Sequence, residues 1–258
     1  MDHNDLHADF VSSLLHPAKC SFAYEEAEDV VRLIVGFAKR EIDMASRHRS
    51  RILIADDHLL VAEACRSLLE QEFEIVGIVS DGRALLQTAC DLSPDVVIVD
   101  IGMPQLNGLD ACGMLKAKHG ALKVIILTMN SNPEVAAESF RRGASGFVLK
   151  HGTADELVIA VRRVLRGESY LSPLIAKHTV EFLLRSGATY REEKRISSRQ
   201  REVLQLIAEG KSMKEIAYLL RLKPGTVAFH KYRIMEVLGV NSNAELIEYA
   251  IKKHMICR

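Results

Sequence analysis

From Arg51 onward, short apolar runs alternate with stretches of helical spacing. The run 52–55 ends in Asp56 and Asp57, and residues 59–70 carry apolar side chains at a helical period, with Leu60, Ala64, Leu68 and Leu69 expected on one face. Residues 74–79 are β-branched and 83–90 read as helix. A second apolar run, 95–99, ends in another acid, Asp100. Helix is predicted for 109–118, strand for 123–128, helix for 133–142 after Asn132, strand for 146–149 up to Lys150, and helix for 154–165 before Gly167. The strand segments are continuously apolar rather than alternating, as expected of strands covered on both faces. Five such βα units predict an α/β fold, a doubly wound five-stranded parallel sheet.

The pattern changes after Gly167. A helix is expected over 174–184, followed by a polar stretch from Ser186 that reads as an exposed linker. Four helices are then predicted: 200–208 after an N-cap at Ser197 or Ser198, 213–220, 224–238 opened by Pro224 and ended by Gly239, and 244–253. Leu204, Ile207, Ile216, Leu220, Leu222, Val227, Ile234 and Leu238 supply one small core, and two short helices, a tight turn and a longer helix make a helix-turn-helix unit. The chain therefore divides into an extension (1–50), an α/β part (51–168), a linker with a helix (169–194) and a small all-α part (195–258).

Composition narrows the classes. Of 258 residues, 48% are apolar and 26% charged, which supports ordinary cores rather than disorder. No apolar run approaches the roughly 20 residues of a bilayer span, and the first residues lack a signal-peptide pattern, so no membrane role and a cytoplasmic location are expected. The five cysteines include no CxxC pair, which argues against a disulfide framework or a zinc site. Net charge is zero, yet residues 195–258 hold 12 Lys and Arg against 6 Asp and Glu, while residues 51–170 hold 12 against 16. A basic helical end joined to an acidic α/β part suits nucleic acid at one end and a cation at the other.

In a doubly wound sheet, ligands sit at the carboxyl ends of the strands. There the sequence places Asp56, Asp57, Asp100, Thr128 and Lys150. Converging carboxylates repel, a hard divalent cation relieves that repulsion, and a nearby ammonium and hydroxyl suit phosphoryl chemistry.

The stretches RILIADDH, DVVIVDIGMPQLNGLD, VIILTMNS and GASGFVLK resemble, in order and spacing, the receiver domain of two-component response regulators. The resemblance implies that Asp100 accepts a phosphoryl group from a histidine kinase. It implies that Asp56, Asp57, Asp100 and the carbonyl of Gly102 hold Mg²⁺, and that Thr128 and Lys150 bind the phosphoryl oxygens. Phe147 matches the aromatic switch position, expected to swing inward when Thr128 moves toward the phosphoryl group. Met129 is large where many receivers have a small residue, and slower access to Asp100 is expected from it.

The stretch from Ser197 to Ile251 resembles the NarL/LuxR-type helix-turn-helix output domain. By that resemblance the helix from Pro224 enters the major groove of double-stranded DNA, with Lys223, Thr226, Ala228, Phe229, Lys231, Tyr232 and Arg233 facing it. His230 is expected to pack rather than read a base. Ala228 stands where the family commonly has Lys, and it can offer a thymine-methyl contact instead. Lys223 occupies the expected N-cap, where a cation meets the positive helix end, so a DNA phosphate is inferred to offset it.

A single small output domain offers little interface, so a homodimer on paired half-sites is expected. The last helix, with Leu246, Ile247, Ala250 and Ile251, reads equally as a dimer face or as intradomain packing. Residues 25–40 show helical spacing that suits a partner helix, while Met44 offers an alternative start, and both readings stand. No cap or insertion supplies a substrate pocket, so an enzyme is not expected. A phosphorylation-independent DNA-binding regulator and a protein-binding phosphoryl sink remain the alternatives.

Overall fold

The computed structural model describes residues 49–186, 196–253 and 255–256. The expectations for 25–40 and Met44, and for most of the polar linker, lie outside the described residues.

The sheet runs β1 (Arg51–Ala55), β2 (Glu74–Val79), β3 (Val96–Val99), β4 (Lys123–Thr128), β5 (Gly146–Leu149) and β6 (Tyr170–Leu171) along the chain. Its spatial order is β2-β1-β3-β4-β5-β6, all parallel. The first five strands are those predicted. The sixth was not foreseen, because two residues carry no periodicity. Tyr170 and Leu171 become a strand only by pairing with Gly146 and Phe147.

The continuous apolar runs are explained by two cores. Leu53, Ala55, Val97, Val99, Val124 and Ile126 point into one layer, with side chains of α2 (Gly82–Leu92), α3 (Gly108–Lys118) and α4 (Pro133–Arg141). Ile52, Ile54, Val96, Ile98, Ile125 and Leu127 point into the other, with α1 (Leu59–Leu69) and α5 (Ala154–Leu165). Alternate residues still face opposite sides, but both sides are dry.

Helix starts are set by local chemistry. Asp81 accepts from the amides of Arg83 and Ala84, and Asn107 from that of Asp110. Asn132 accepts from Glu134 N–H, with Pro133 at the first helical position. One predicted face is corrected: α1 buries Ala62, Cys65 and Leu69, while Leu60 and Ala64 are exposed. Ala62, Cys65 and Leu69 recur at three- and four-residue spacing and enter the core, with Val61 and Leu68 partly buried beside them.

Beyond β6 come α6 (Pro173–Ser186), then α7 (Ser198–Ala208), α8 (Met213–Leu220), α9 (Pro224–Leu238) and α10 (Asn243–Lys252). Capping boxes Ser197–Gln200 and Ser212–Glu215 start α7 and α8, and Gly239 (φ 72°) ends α9 in the left-handed region. The shared core holds Val203, Leu204, Leu206, Ile207, Ile216, Leu220, Val227 and Ile234, with Leu222 and Leu238 partly buried against it. Leu246 and Ala250 of α10 are completely buried in the same core, so that pair serves packing within the chain.

Candidate functional site

Asp56 and Asp100 follow β1 and β3 directly, and both side chains are buried. Lys150, one residue past β5, puts Nζ 2.7 Å from Asp56 Oδ2 and 3.0 Å from Asp100 Oδ1. The ammonium thus offsets part of the repulsion between the two acids, a role the sequence had left to a metal alone. Asp100 Oδ2 accepts from Gly102 N–H at 3.0 Å, so it is the amide of Gly102 that meets Asp100. Lys150 N–H donates to the carbonyl of Thr128 at 2.8 Å, which locks the ends of β4 and β5 together. Thr128 is buried, and its Oγ1 accepts from Asn130 N–H at 3.1 Å.

Asp57 is exposed beside this pair. His58 completes the cluster, with Nδ1 3.0 Å from Asp57 Oδ1 and 3.4 Å from Asp56 Oδ1. One ligand atom from each of Asp56, Asp57, His58 and Asp100 lies within 4.8 Å of all the others. The three acids are therefore gathered. His58 was not singled out from the sequence, although its position directly after the Asp pair was a usable signal.

Two properties show what this cluster can hold. Asp56 Oδ2 is buried, and the one contact given for it is the Lys150 ammonium at 2.7 Å. A buried carboxylate oxygen with spare acceptor capacity, beside two more carboxylates, is the donor set a hard divalent cation prefers. Burial also pushes the Asp100 carboxyl above the usual range; Lys150 and the Gly102 amide pull it down, and the Asp56 charge adds to the rise. For Lys150, burial opposes the charged form, but pairing with Asp56 and Asp100 outweighs it and holds the ammonium above the ordinary lysine range.

At the other end, α9 buries Val227 and Ile234 and leaves much of its opposite face to solvent. Lys223 is its N-cap and makes no side-chain capping bond; Pro224 follows. Phe229 is 61% and Tyr232 68% exposed. Arg233 is exposed and paired with Glu236 at 2.6 Å. Thr226, Ala228, His230 and Lys231 are half-buried, and the rings of Phe229 and His230 meet edge-on at 6.0 Å.

Residues 52–162 match the family described as response regulator receiver domain, and residues 194–250 match bacterial regulatory proteins, luxR family. The oxygen regulatory protein NreC of Staphylococcus carnosus (strain TM300) is 36% identical over 214 residues, covering 80% of this chain and 99% of that protein. The chain is a response regulator of the LuxR family. Among solved structures, the RcsB response regulator of Salmonella typhimurium aligns with a TM-score of 0.56 at 29% identity, covering 81% of this chain and all of that one. A second RcsB structure, from Salmonella enterica serovar Typhimurium bound to promoter DNA with a phosphomimetic, aligns at 0.53 and 31% identity, covering 78% and 98%.

Within this response regulator, Phe147 faces inward. It is completely buried, in a core that also contains Ile126, Leu149 and Ile175. The unforeseen β6 pairs against its backbone, with Ser172 N–H donating to the Phe147 carbonyl at 2.9 Å. Met129 is 66% exposed.

The helical part of the regulator docks on the loop after Asp100, which sequence reasoning missed. Asn107 N–H donates to Gln205 Oε1 at 2.8 Å, Gln205 Nε2 donates to the Met103 carbonyl at 3.0 Å, and Gln105 N–H donates to Glu209 Oε1 at 2.9 Å. Arg201 Nε lies 2.6 Å from Asp110 Oδ1, which also pairs with Arg142 at 2.5 Å, and Arg83 pairs with Glu202. Gln205 and Glu202 are buried by this docking. In sequence they are ordinary polar residues on an amphipathic helix, and only their three-residue spacing hints at a shared face.

Proposed function

We propose that this regulator is switched by phosphoryl transfer from a histidine kinase to Asp100 and acts in the cytoplasm as a homodimer on paired DNA half-sites. The observation that carries the reading is Asp100 itself: a buried carboxylate held by Lys150 at 3.0 Å inside an acid cluster gathered within 4.8 Å. An Asp100 oxygen attacks phosphorus, the bond from phosphorus to the kinase imidazole breaks, and the imidazole leaves. Asp56, Asp57, Asp100 and Gly102 would hold Mg²⁺, which supplies positive charge to the transferring phosphoryl oxygens when bound. Lys150 adds its ammonium to those oxygens, and the Thr128 hydroxyl, whose oxygen accepts from Asn130 N–H, donates its proton to one of them. Phe147 is the aromatic switch residue, whose packing changes when Thr128 moves toward the phosphoryl group. The protein is a regulator rather than an enzyme. Residues 51–168 form its receiver, 169–194 its linker and 195–258 its output domain.

The docking of α7 supports control through the loop 102–107. A phosphoryl group of roughly −1.5 to −2 charge replaces the single charge of the Asp100 carboxylate, a net gain of up to about −1, and competes for the Gly102 amide. Met103, Gln105 and Asn107, which anchor Gln205 and Glu209, follow on the same loop. Loosening these bonds frees the output domain to pair on DNA through Lys223, Thr226, Ala228, Phe229, Lys231, Tyr232 and Arg233. A small phosphodonor with Mg²⁺ is expected to raise the affinity of the full chain for a duplex selected from a random pool, read by fluorescence anisotropy. Tight binding that ignores the phosphodonor favours phosphorylation-independent regulation instead.

Lys223 gives a second, local prediction. Lys223→Ser supplies the missing cap and is expected to stabilise α9 by about 1 kcal/mol. The same change removes a cation from the helix entrance, so DNA affinity should fall and its salt dependence should flatten. Thermal unfolding and a salt titration of binding check both, and an unchanged affinity would show that Lys223 meets no phosphate.

A further inference from the structure

The solvent-facing stripe of α9 has an unusual chemistry for a helix that reads DNA. Positions 225, 229, 232, 233 and 236 share that face by helical spacing, and all five are exposed. They are Gly225, Phe229, Tyr232, Arg233 and Glu236. Side chains that read guanine carry forked donors, and those that read adenine carry an amide. The N-terminal part of this stripe, Gly225 and Phe229, carries neither. Its forked donor, Arg233, stands one turn further on in an exposed pair with Glu236 at 2.6 Å, and Lys231 lies off the stripe and is half-buried.

What the stripe does offer is apolar area. A 61% exposed phenylalanine stands one turn beyond Gly225, whose missing side chain leaves open space, with Tyr232 three residues on. Ala228 beside it is also apolar and half-buried. In the major groove the one apolar group on a base edge is the thymine methyl. Burying a large exposed aromatic against it is favourable without any polar partner, whereas facing the polar edge of guanine or cytosine would leave base donors and acceptors unpaired. The surrounding charge, 12 basic against 6 acidic residues over 195–258, suits DNA as the occupant of this face.

We infer that Phe229 is a specificity-determining residue that selects thymine in each half-site by packing on its methyl group. This rests on the DNA-binding reading proposed above and names the base it recognises.

The test uses the full chain and a duplex recovered by selection from a random-sequence pool. Each thymine is replaced in turn by deoxyuridine, which removes the methyl and keeps the pairing. One or two positions per half-site are expected to lose about three- to fivefold in affinity, the scale of one buried methyl group. In Phe229→Ala, affinity should fall and the thymine-to-uracil ratio at those positions should drop to one. Phe229→Leu should keep part of the ratio. Because Phe229 is exposed, unchanged circular dichroism confirms that the variants fold. A bound duplex indifferent to every methyl, or a ratio unaltered in Phe229→Ala, overturns the inference alone. Recovery of no duplex overturns the DNA-binding reading together with it.

Discussion

Asp100→Asn is expected to reduce phosphoryl incorporation from a small phosphodonor in Mg²⁺ buffer to background, and with it any gain in DNA affinity. An amide is not a nucleophile toward phosphorus under these conditions, and it removes one of the acidic oxygens gathered at the strand ends. The substitution should not unfold the protein. Asparagine keeps the shape and an acceptor for the Gly102 amide, and Lys150 retains its 2.7 Å contact with Asp56. Intact-protein mass spectrometry reads the modification directly. The control is Asp56→Asn, because Asp56 is equally buried and also meets Lys150. Labelling that survives in Asp100→Asn and vanishes in Asp56→Asn would transfer the acceptor role to Asp56. Labelling that survives in both would sink the phosphoryl reading.

The second large effect is expected at Gly108, the first residue of α3. A Cβ there would lie 2.0 Å from the carbonyl oxygen of Asp100 and 2.9 Å from Val99 Cγ1. The obstacle is backbone, so it cannot swing away like the end of a long side chain. Gly108→Ala should cost about 3 kcal/mol, at or beyond the upper end for overpacking. At about 2–4 °C per kcal/mol for a chain of this size, the midpoint should drop by roughly 6–12 °C. Because the displaced atom belongs to Asp100, labelling should slow as well. Gly113 in the same helix is the contrast, since nothing lies within 4 Å of its added Cβ. Gly113→Ala should instead stabilise by up to about 1 kcal/mol, the helix-propensity difference. Equal melting temperatures for the two variants would show that the loop after β3 yields freely, contrary to a rigid acid site.

The acids were legible because each ends an apolar run. A strand buried on both faces must be apolar throughout, so the first charged residue after it marks the sheet's carboxyl edge. Asp56, Asp100 and Lys150 were located that way, and the structure brings them together. The helices of the output end were legible because Ser197, Ser212, Pro224 and Gly239 punctuate them. Residues whose role comes only from a neighbour distant in sequence left no such mark. Tyr170–Leu171 is too short for a pattern, and Phe147 sits in an apolar run that reads as core on either face. Gln205 looks like any polar residue on a helix until Met103 and Asn107 are set against it.

By itself, then, the order of apolar and polar residues determined the parallel sheet, the helix-turn-helix end and the short list of charged groups at the strand tips. Those depend on local periodicity and on the edge where burial stops. Tertiary structure alone decided that Lys150 stands between two carboxylates, that His58 joins them, that a sixth strand backs Phe147, and that α7 rests on the loop behind Asp100. Each of these is a contact across many residues of chain, and its energy depends on distances of a few ångströms that no linear spacing encodes.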